Sequence, residues 1–268
     1  MGSNLKKYWT VLRISWMNGF AYPISFWMWR LRQMISIVIA ISMWEAIFSS
    51  TERIASYDKA QMLSYIFVSS IVSFIVLSSR TIEVQNVIHS GDLSLYLMKP
   101  LNFFFYWFTR DIADKFQNIV FAIGELAFLF VVFQPNLIIP QHWMTVLFSL
   151  TAVFGGLLLY FFINLIFSFF VFWIPDAWAP RFLFFIIVFF TAGSSFPLDI
   201  FPKPLTDFFM QTPFPFLLYF QTKLWLGQLN LVEMWSGFFM LSFWICMTAG
   251  IAYALWKKGV YGYGSEGR

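Results

Sequence analysis

Apolar residues in this chain come in long unbroken runs and not in alternation. From Trp143 to Ile174 there is no Lys, Arg, Asp, Glu or His. A helix needs about 20 such residues to cross the hydrocarbon core of a bilayer, with a usual range of roughly 17–25. Six segments meet that requirement: Met34–Ser50, interrupted by Glu45; Met62–Ser79; Asn118–Pro135, interrupted by Glu125; a span within Trp143–Ile174; Phe182–Leu198; and Met234–Trp256. Strands of a membrane barrel would alternate apolar and polar positions, whereas a helix satisfies its own backbone groups in lipid and tolerates a continuous run. The pattern therefore predicts an all-α polytopic membrane protein with six transmembrane helices, forming one membrane domain over residues 1–268.

The fourth run leaves a choice. As one helix it would be about 48 Å long at 1.5 Å per residue, beyond a core of about 30 Å. It would then protrude, tilt or bend near Gly155-Gly156, or else hide two short spans and raise the total to seven. Charge arbitrates. With six spans, every basic residue falls on the side of the two termini except Arg53, Lys59, Lys203 and Lys223. The positive-inside rule puts the rich side in the cytoplasm. Seven spans would carry Lys257-Lys258 across. Six spans with both termini cytoplasmic is the expectation.

Composition narrows the function. Charged residues are 11% of the chain, against about 25% in soluble proteins. The net charge of +4 is small, so nucleic acid is not an expected partner. One cysteine, Cys246, and two histidines, His89 and His142, give no disulfide and no metal-ligand spacing. There is no Walker A loop, no G-x-S-x-G elbow and no H-E-x-x-H helix, so the chain itself is not expected to be an enzyme. No cleavable signal is read in the first 30 residues. Instead Leu5, Tyr8, Trp9, Leu12 and Trp16 recur at helical spacing beside Lys6, Lys7 and Arg13. That stripe suits a helix lying in the membrane interface, with residues 1–33 as helix and flank; the alternative is a basic flank that marks orientation.

Three polar regions carry the candidate chemistry. The cytoplasmic connection 80–117 opens with an amphipathic start (Ile82, Val87, Ile88), breaks at Ser90-Gly91, and permits a second short helix with Asp92 as its cap and an end before Pro100. It is either a docking surface or a plain connector. The stretch 196–228 is rich in Phe and Pro. It would dip into the outer leaflet as short broken helices and gate an exit, or form an aromatic interfacial belt. Glu45 and Glu125 are intramembrane carboxylates, to be read as structurally paired or as contacts for a cationic substrate.

The residues Ile88-His89-Ser90-Gly91-Asp92-Leu93, then Leu95, Leu97 and Lys99-Pro100-Leu101, resemble an I-x-x-G-x-L…L-x-[RK]-P-L motif of ATP-binding cassette (ABC) transporter permeases of the type-2 exporter class. Phe196-Pro197-Leu198-Asp199-Ile200-Phe201-Pro202 resembles that branch's P-L-x-x-F-P stretch. The tail from Trp256, with Tyr261 and Tyr263 before Gly264–Arg268, is similar to its Tyr-containing ending, although Gly262 stands where the family has a basic residue.

The resemblance implies a half-transporter. Two permease subunits, identical or related, would form the pathway. Separate ABC ATPase subunits would dock beneath and hold the ATP and Mg, so this chain would need no cofactor. Segment 80–117 would contain a coupling helix, with Ile88, Ser90, Gly91, Asp92, Leu93, Leu95, Tyr96, Lys99 and Pro100 as the docking residues. Glu45, Glu125, Phe196, Pro197, Phe201 and Pro202 would be pathway or gate candidates. The location implied is the bacterial cytoplasmic membrane, in contact with membrane lipid. The competing class is a secondary transporter or channel acting without an ATPase. The aromatic richness suits an amphipathic or lipid-like substrate, and equally a lipid-facing surface.

Overall fold

The computed structural model describes residues 2–174 and 178–263. Its helices are α1 (Gly2–Asn18), α2 (Pro23–Phe48), α3 (Lys59–Val76), α4 (Ile82–His89), α5 (Leu93–Leu97), α6 (Phe103–Phe133), α7 (Trp143–Phe169), α8 (Trp178–Thr191), α9 (Lys203–Met210), α10 (Tyr219–Trp225) and α11 (Leu231–Tyr261). A two-stranded antiparallel hairpin, β1 (Arg53–Ile54) and β2 (Tyr57–Asp58), links α2 to α3. Local chemistry sets several of these boundaries. Asp58 with Gln61 and Asn230 with Glu233 form capping boxes that start α3 and α11. The Asn102 side chain accepts from the Phe105 N–H at 3.1 Å and starts α6.

Among the described residues five helices are long and apolar enough to cross a membrane: α2, α3, α6, α7 with its 3-10 extension to Phe172, and α11. The sixth, α8, is also apolar but has only 14 residues, about 21 Å at 1.5 Å per residue. It still connects the two ends of the bundle. Arg181 in its first turn bonds to α7, and beyond its last turn Ala192 O accepts from Tyr219 N at 2.9 Å.

Several boundaries differ from the expectation: α2 begins at Pro23 and not at Met34, so the flank expected to run to residue 33 already holds the first turns of the span, and α8 ends at Thr191 and not at Leu198. The long apolar run agrees with the six-span reading: it is one helix with a single 3-10 turn at its end, not two spans. Gly155 and Gly156 mark close approaches and not a bend. A Cβ at Gly155 would meet Leu241 of α11 at 2.7 Å, and one at Gly156 would meet Gln221 of α10 at 2.4 Å. The third span starts far earlier than Asn118: α6 begins at Phe103, so the connection 80–117 consists of α4, α5 and the first four turns of α6. Its charged residues are at helical spacing along one face, and helical propensity there is unbroken by Gly or Pro.

Both described chain ends lie at the same end of the bundle. Trp256 near the end of α11 stacks on Phe103 with centroids 3.8 Å apart, while Tyr8 of α1 accepts from Asn102 N at 3.2 Å. α1 runs along the first half of α6, with Trp16 on Phe116 and Phe20 on Phe121. Its other face leaves Leu5 and Trp9 exposed. The tail beyond Tyr263 lies outside the described residues.

At the opposite end the segment between α8 and α11 folds back into the bundle. Residues 215–224 are buried, and Phe216, Leu217, Phe220 and Leu224 pack among α3, α7, α8 and α11. Pro213 and Pro215 break the backbone into a 3-10 turn before α10. The Gln221 amide then donates to Phe216 O and Ala152 O at 2.5 and 3.2 Å, supplying partners that helix geometry does not. Many large apolar side chains face outward, including Ile39, Phe128, Val131, Phe185 and Phe239. Such a surface fits lipid and not water.

The contact between α7 and α10 gives a test. A Cβ at Gly156 would fall 3.2 Å from the backbone oxygen of Phe216 as well as against Gln221. Gly156→Val should therefore cost about 1–3 kcal/mol through overpacking. The measurement is thermal unfolding of detergent-solubilised protein, in which Gly156→Val should melt lower than Gly124→Val, whose Cβ meets nothing within 4 Å.

Candidate functional site

The α4–α5 segment is fixed from below by apolar packing. Val84, Ile88 and Leu93 are buried against Trp107 of α6 and Phe161, Leu165 and Phe169 of α7. Gly91 turns the chain between α4 and α5 with φ of +83°, a conformation that costs a side chain strain. α5 ends at Leu97, and Pro100 follows it.

This geometry sorts the predicted docking residues. Ser90, Asp92, Leu95, Lys99 and Pro100 are exposed, and Gly91 and Tyr96 are half-buried. Ile88 and Leu93 are buried at 4% and 0% exposure, so they hold the segment in place and cannot touch a partner. Tyr96 stacks on Trp107 at 5.8 Å and carries Lys99 Nζ 4.0 Å above its ring. Asp92 occupies the position before α5 but makes no capping bond; its Oδ2 accepts from Ser90 Oγ at 2.7 Å. The residue is in helical φ/ψ, which points its carboxylate away from the α5 N–H groups. Leu97 and Met98, not among the predicted docking residues, are exposed beside them, the latter at 74%. The spacing of Leu93, Leu95 and Leu97 is indifferent to which of them faces inward until the α4 packing is known.

Behind this segment a polar ladder climbs α6. Arg110, Asp111, Asp114, Lys115, Asn118 and Glu125 recur at three-, four- and seven-residue steps, so they share one face. Asp111 is fully buried and accepts from Ser79 Oγ at 2.7 Å and Arg80 N at 3.0 Å. Lys115 Nζ lies 3.3 Å from Asp111 Oδ2 and donates to the α3-terminal carbonyls of Val76 and Ser78. A cation there satisfies orphan carbonyls and suits the negative helix end. Arg80 pairs with Asp114 at 2.8 Å and Glu83 at 3.2 Å, and Arg110 pairs with Glu83 at 2.5 Å. Ser168 Oγ of α7 reaches Thr81 O at 2.8 Å. The loop from α3 to α4 is thus bonded to both α6 and α7.

The ladder continues into the bundle. Asn118 Nδ2 donates to Asp114 Oδ2 at 3.3 Å, and its Oδ1 accepts from Arg30 Nη1 at 3.1 Å. Arg30 Nε lies 2.7 Å from Glu125 Oε1, with side chains only 3% and 10% exposed. The Phe74 and Phe121 rings flank the guanidinium at 5.5 and 5.7 Å. Glu125 therefore has a counter-ion, Arg30, that the sequence reading had assigned to the cytoplasmic flank. Its second oxygen, Oε2, is buried without a hydrogen-bond partner. Glu45 is different: it sits one turn before the end of α2 and pairs with Lys59 at 3.3 Å, both partly exposed.

A second cluster ties the opposite end together. Tyr57 donates to Asp199 at 3.0 Å, and Lys223 Nζ lies 2.8 Å from Asp199 Oδ2 and 3.0 Å from the Tyr57 oxygen. Burial first, and then the Asp199 carboxylate, hold the Tyr57 phenol well above its ordinary pKa, so it remains a donor. Tyr65 donates to Gly193 O at 2.6 Å and Trp44 to Ser195 O at 3.2 Å. The predicted gate residues belong to this fold-back. Phe196 and Phe201 are half-buried and meet edge to face at 5.4 Å; Pro197 is buried and Pro202 is exposed. Tyr57, Asp199 and Lys223 were not singled out from sequence, because they are far apart in the chain and each is ordinary in a loop.

The family model for ABC-2 family transporter proteins matches residues 34–267. No curated protein matches the chain. The chain belongs to the ABC-2 transporter family. It is an integral multi-pass membrane protein and a permease subunit, of a family that partners with an ABC ATPase subunit.

The buried pair yields a prediction of sign. Removing one charge of a buried pair strands the other and costs about 3–5 kcal/mol, whereas replacing both with apolar groups is often neutral. Glu125→Leu should lower the melting temperature more than the double change Arg30→Met with Glu125→Leu. Thermal unfolding of the three proteins in one detergent checks this order.

Proposed function

We propose that this ABC-2 family permease forms an export pathway as a dimer with a second permease subunit, identical or related, above two ABC ATPase subunits that bind ATP and Mg. It resides in the bacterial cytoplasmic membrane with both termini on the cytoplasmic face. The observation that carries the reading is the α4–α5 segment. Its inner side is anchored by Ile88, Leu93 and Trp107, while its outer side presents Leu95, Leu97 and Met98 with Asp92 and Lys99 at the rim. An apolar centre with a charged rim suits a protein partner.

Force applied to this segment has three rigid outlets. Trp107 and the ladder lead to α6, the Ser168–Thr81 bond leads to α7, and Lys115 grips the end of α3. Closure of the ATPase pair would tilt these helices as bodies and open the far end, where the Tyr57–Asp199–Lys223 cluster and Phe196, Pro197, Phe201 and Pro202 close the fold-back. In this reading Arg30 and Glu125 hold α2 to α6 so that the two helices move together.

Two measurements test it. In a Cys246→Ser background, a cysteine at Tyr261, which is 96% exposed, should react with an impermeant maleimide only in inside-out vesicles. Reaction in right-side-out vesicles would overturn the orientation. Leu95→Asp with Met98→Asp leaves Tyr96 on Trp107 and should not unfold the permease. Each carboxylate desolvated at a docking surface costs a few kcal/mol, so recovery of the ATPase with the permease should fall at least tenfold. Unchanged recovery would reduce the segment to a connector.

A further inference from the structure

The cations held inside the bundle are matched to carboxylates with one exception. Arg30 has Glu125, Lys115 has Asp111, Lys223 has Asp199, and the half-buried Arg80 and Arg110 share Asp114 and Glu83. Arg181 has none among the described residues. It is half-buried in the first turn of α8 and turned inward onto α7, where its partners are neutral: Asn164 Oδ1 at 3.3 Å and Ser168 Oγ at 3.0 Å. Its Nε is buried without an acceptor. A guanidinium at this depth would ordinarily be paired, because an uncompensated charge out of water costs several kcal/mol.

From this we propose that Arg181 is the centre of a binding site for the phosphoryl headgroup of an anionic lipid. Four observations converge on that chemistry. The planar fork of an arginine matches phosphate oxygens in a bidentate way that a lysine does not. The first turn of α8 contains no acidic residue from Trp178 on, Asp176 lying outside the described residues, and a helix start favours an anion. The site lies at the end of the bundle that holds the coupling segment, since Ser168 bonds both Arg181 and Thr81 O. Finally, the outer surface of α8 is apolar and aromatic: Trp178 and Phe182 stack at 5.1 Å and 8°, and Leu183 and Phe185 of the same helix are exposed. A headgroup on the guanidinium would thus have its acyl chains against α8. Basic pockets between helices at this level of a bilayer take such headgroups. Because Ser168 links the site to the loop that begins α4, occupancy would stiffen the base of the coupling segment. That last consequence rests on the permease reading; headgroup binding does not.

The test is the melting temperature of the purified chain, with its ATPase if that co-purifies, in detergent supplemented with phosphatidylglycerol, phosphatidylcholine or inorganic phosphate. Phosphatidylglycerol should raise the melting temperature of the wild type by about 3 °C or more over phosphatidylcholine. Arg181→Gln should remove that difference, Arg181→Lys should keep part of it, and Arg32→Gln, at an exposed cation over Trp29, should keep all of it. Native mass spectrometry of the wild type and Arg181→Lys then counts retained phosphatidylglycerol, which keeps the test alive if Arg181→Gln fails to fold. An equal response to both lipids, or an Arg181-independent one, would overturn the proposal. So would an Arg181-dependent shift produced in full by inorganic phosphate, which would make the ligand a free anion.

Discussion

A bilayer offers no hydrogen bonds, so every polar group carried into it must find a partner inside the protein. That constraint organises this chain more than any single contact. The apolar runs meet it by forming helices. The two places where the backbone departs from a helix at depth, the broken stretch before α10 and the turn after α8, meet it with side chains. Gln221 serves Phe216 and Ala152, and Tyr65 serves Gly193. The same requirement explains the α6 ladder, where successive residues hand partners to one another from Arg110 up to Glu125.

The two ends of the bundle are tied by different chemistry. At the α4–α5 end, charges link α3, the α3–α4 loop and α6 through short bonds, and aromatic contacts of Trp256 with Phe103 and Phe169 add α7 and α11. At the other end, one three-residue cluster of Tyr57, Asp199 and Lys223 joins the hairpin, the fold-back and α10. The bonds from Tyr65 to Gly193 O and from Trp44 to Ser195 O add further ties there.

Small residues set the packing of the helices to one another. Gly155, Gly237 and Gly259 each admit a side chain from a neighbour: Leu241, Phe220 and Phe172. Lipid tails are as apolar as Leu, so helices in a membrane gain from close fit and not from exclusion of water.

What the chain's sequence determined by itself was the solvent each segment would meet. Runs without charge can only be helices in lipid, and the distribution of lysine and arginine orders them. The turn at Gly91 and the stop before Pro100 were also legible, because glycine and proline act on their own backbone. Partnership was not legible, because it depends on residues far apart in the chain. Arg30 looked like a flanking charge until α6 brought Glu125 to it across 95 positions. Leu93 and Leu95 looked equivalent until Trp107 buried the first and left the second outside. Asp92 looked like a cap until its backbone φ/ψ turned its carboxylate to Ser90. Only tertiary structure assigns a counter-ion, a buried face or a side-chain direction, since each is a distance between elements that local propensity does not contain.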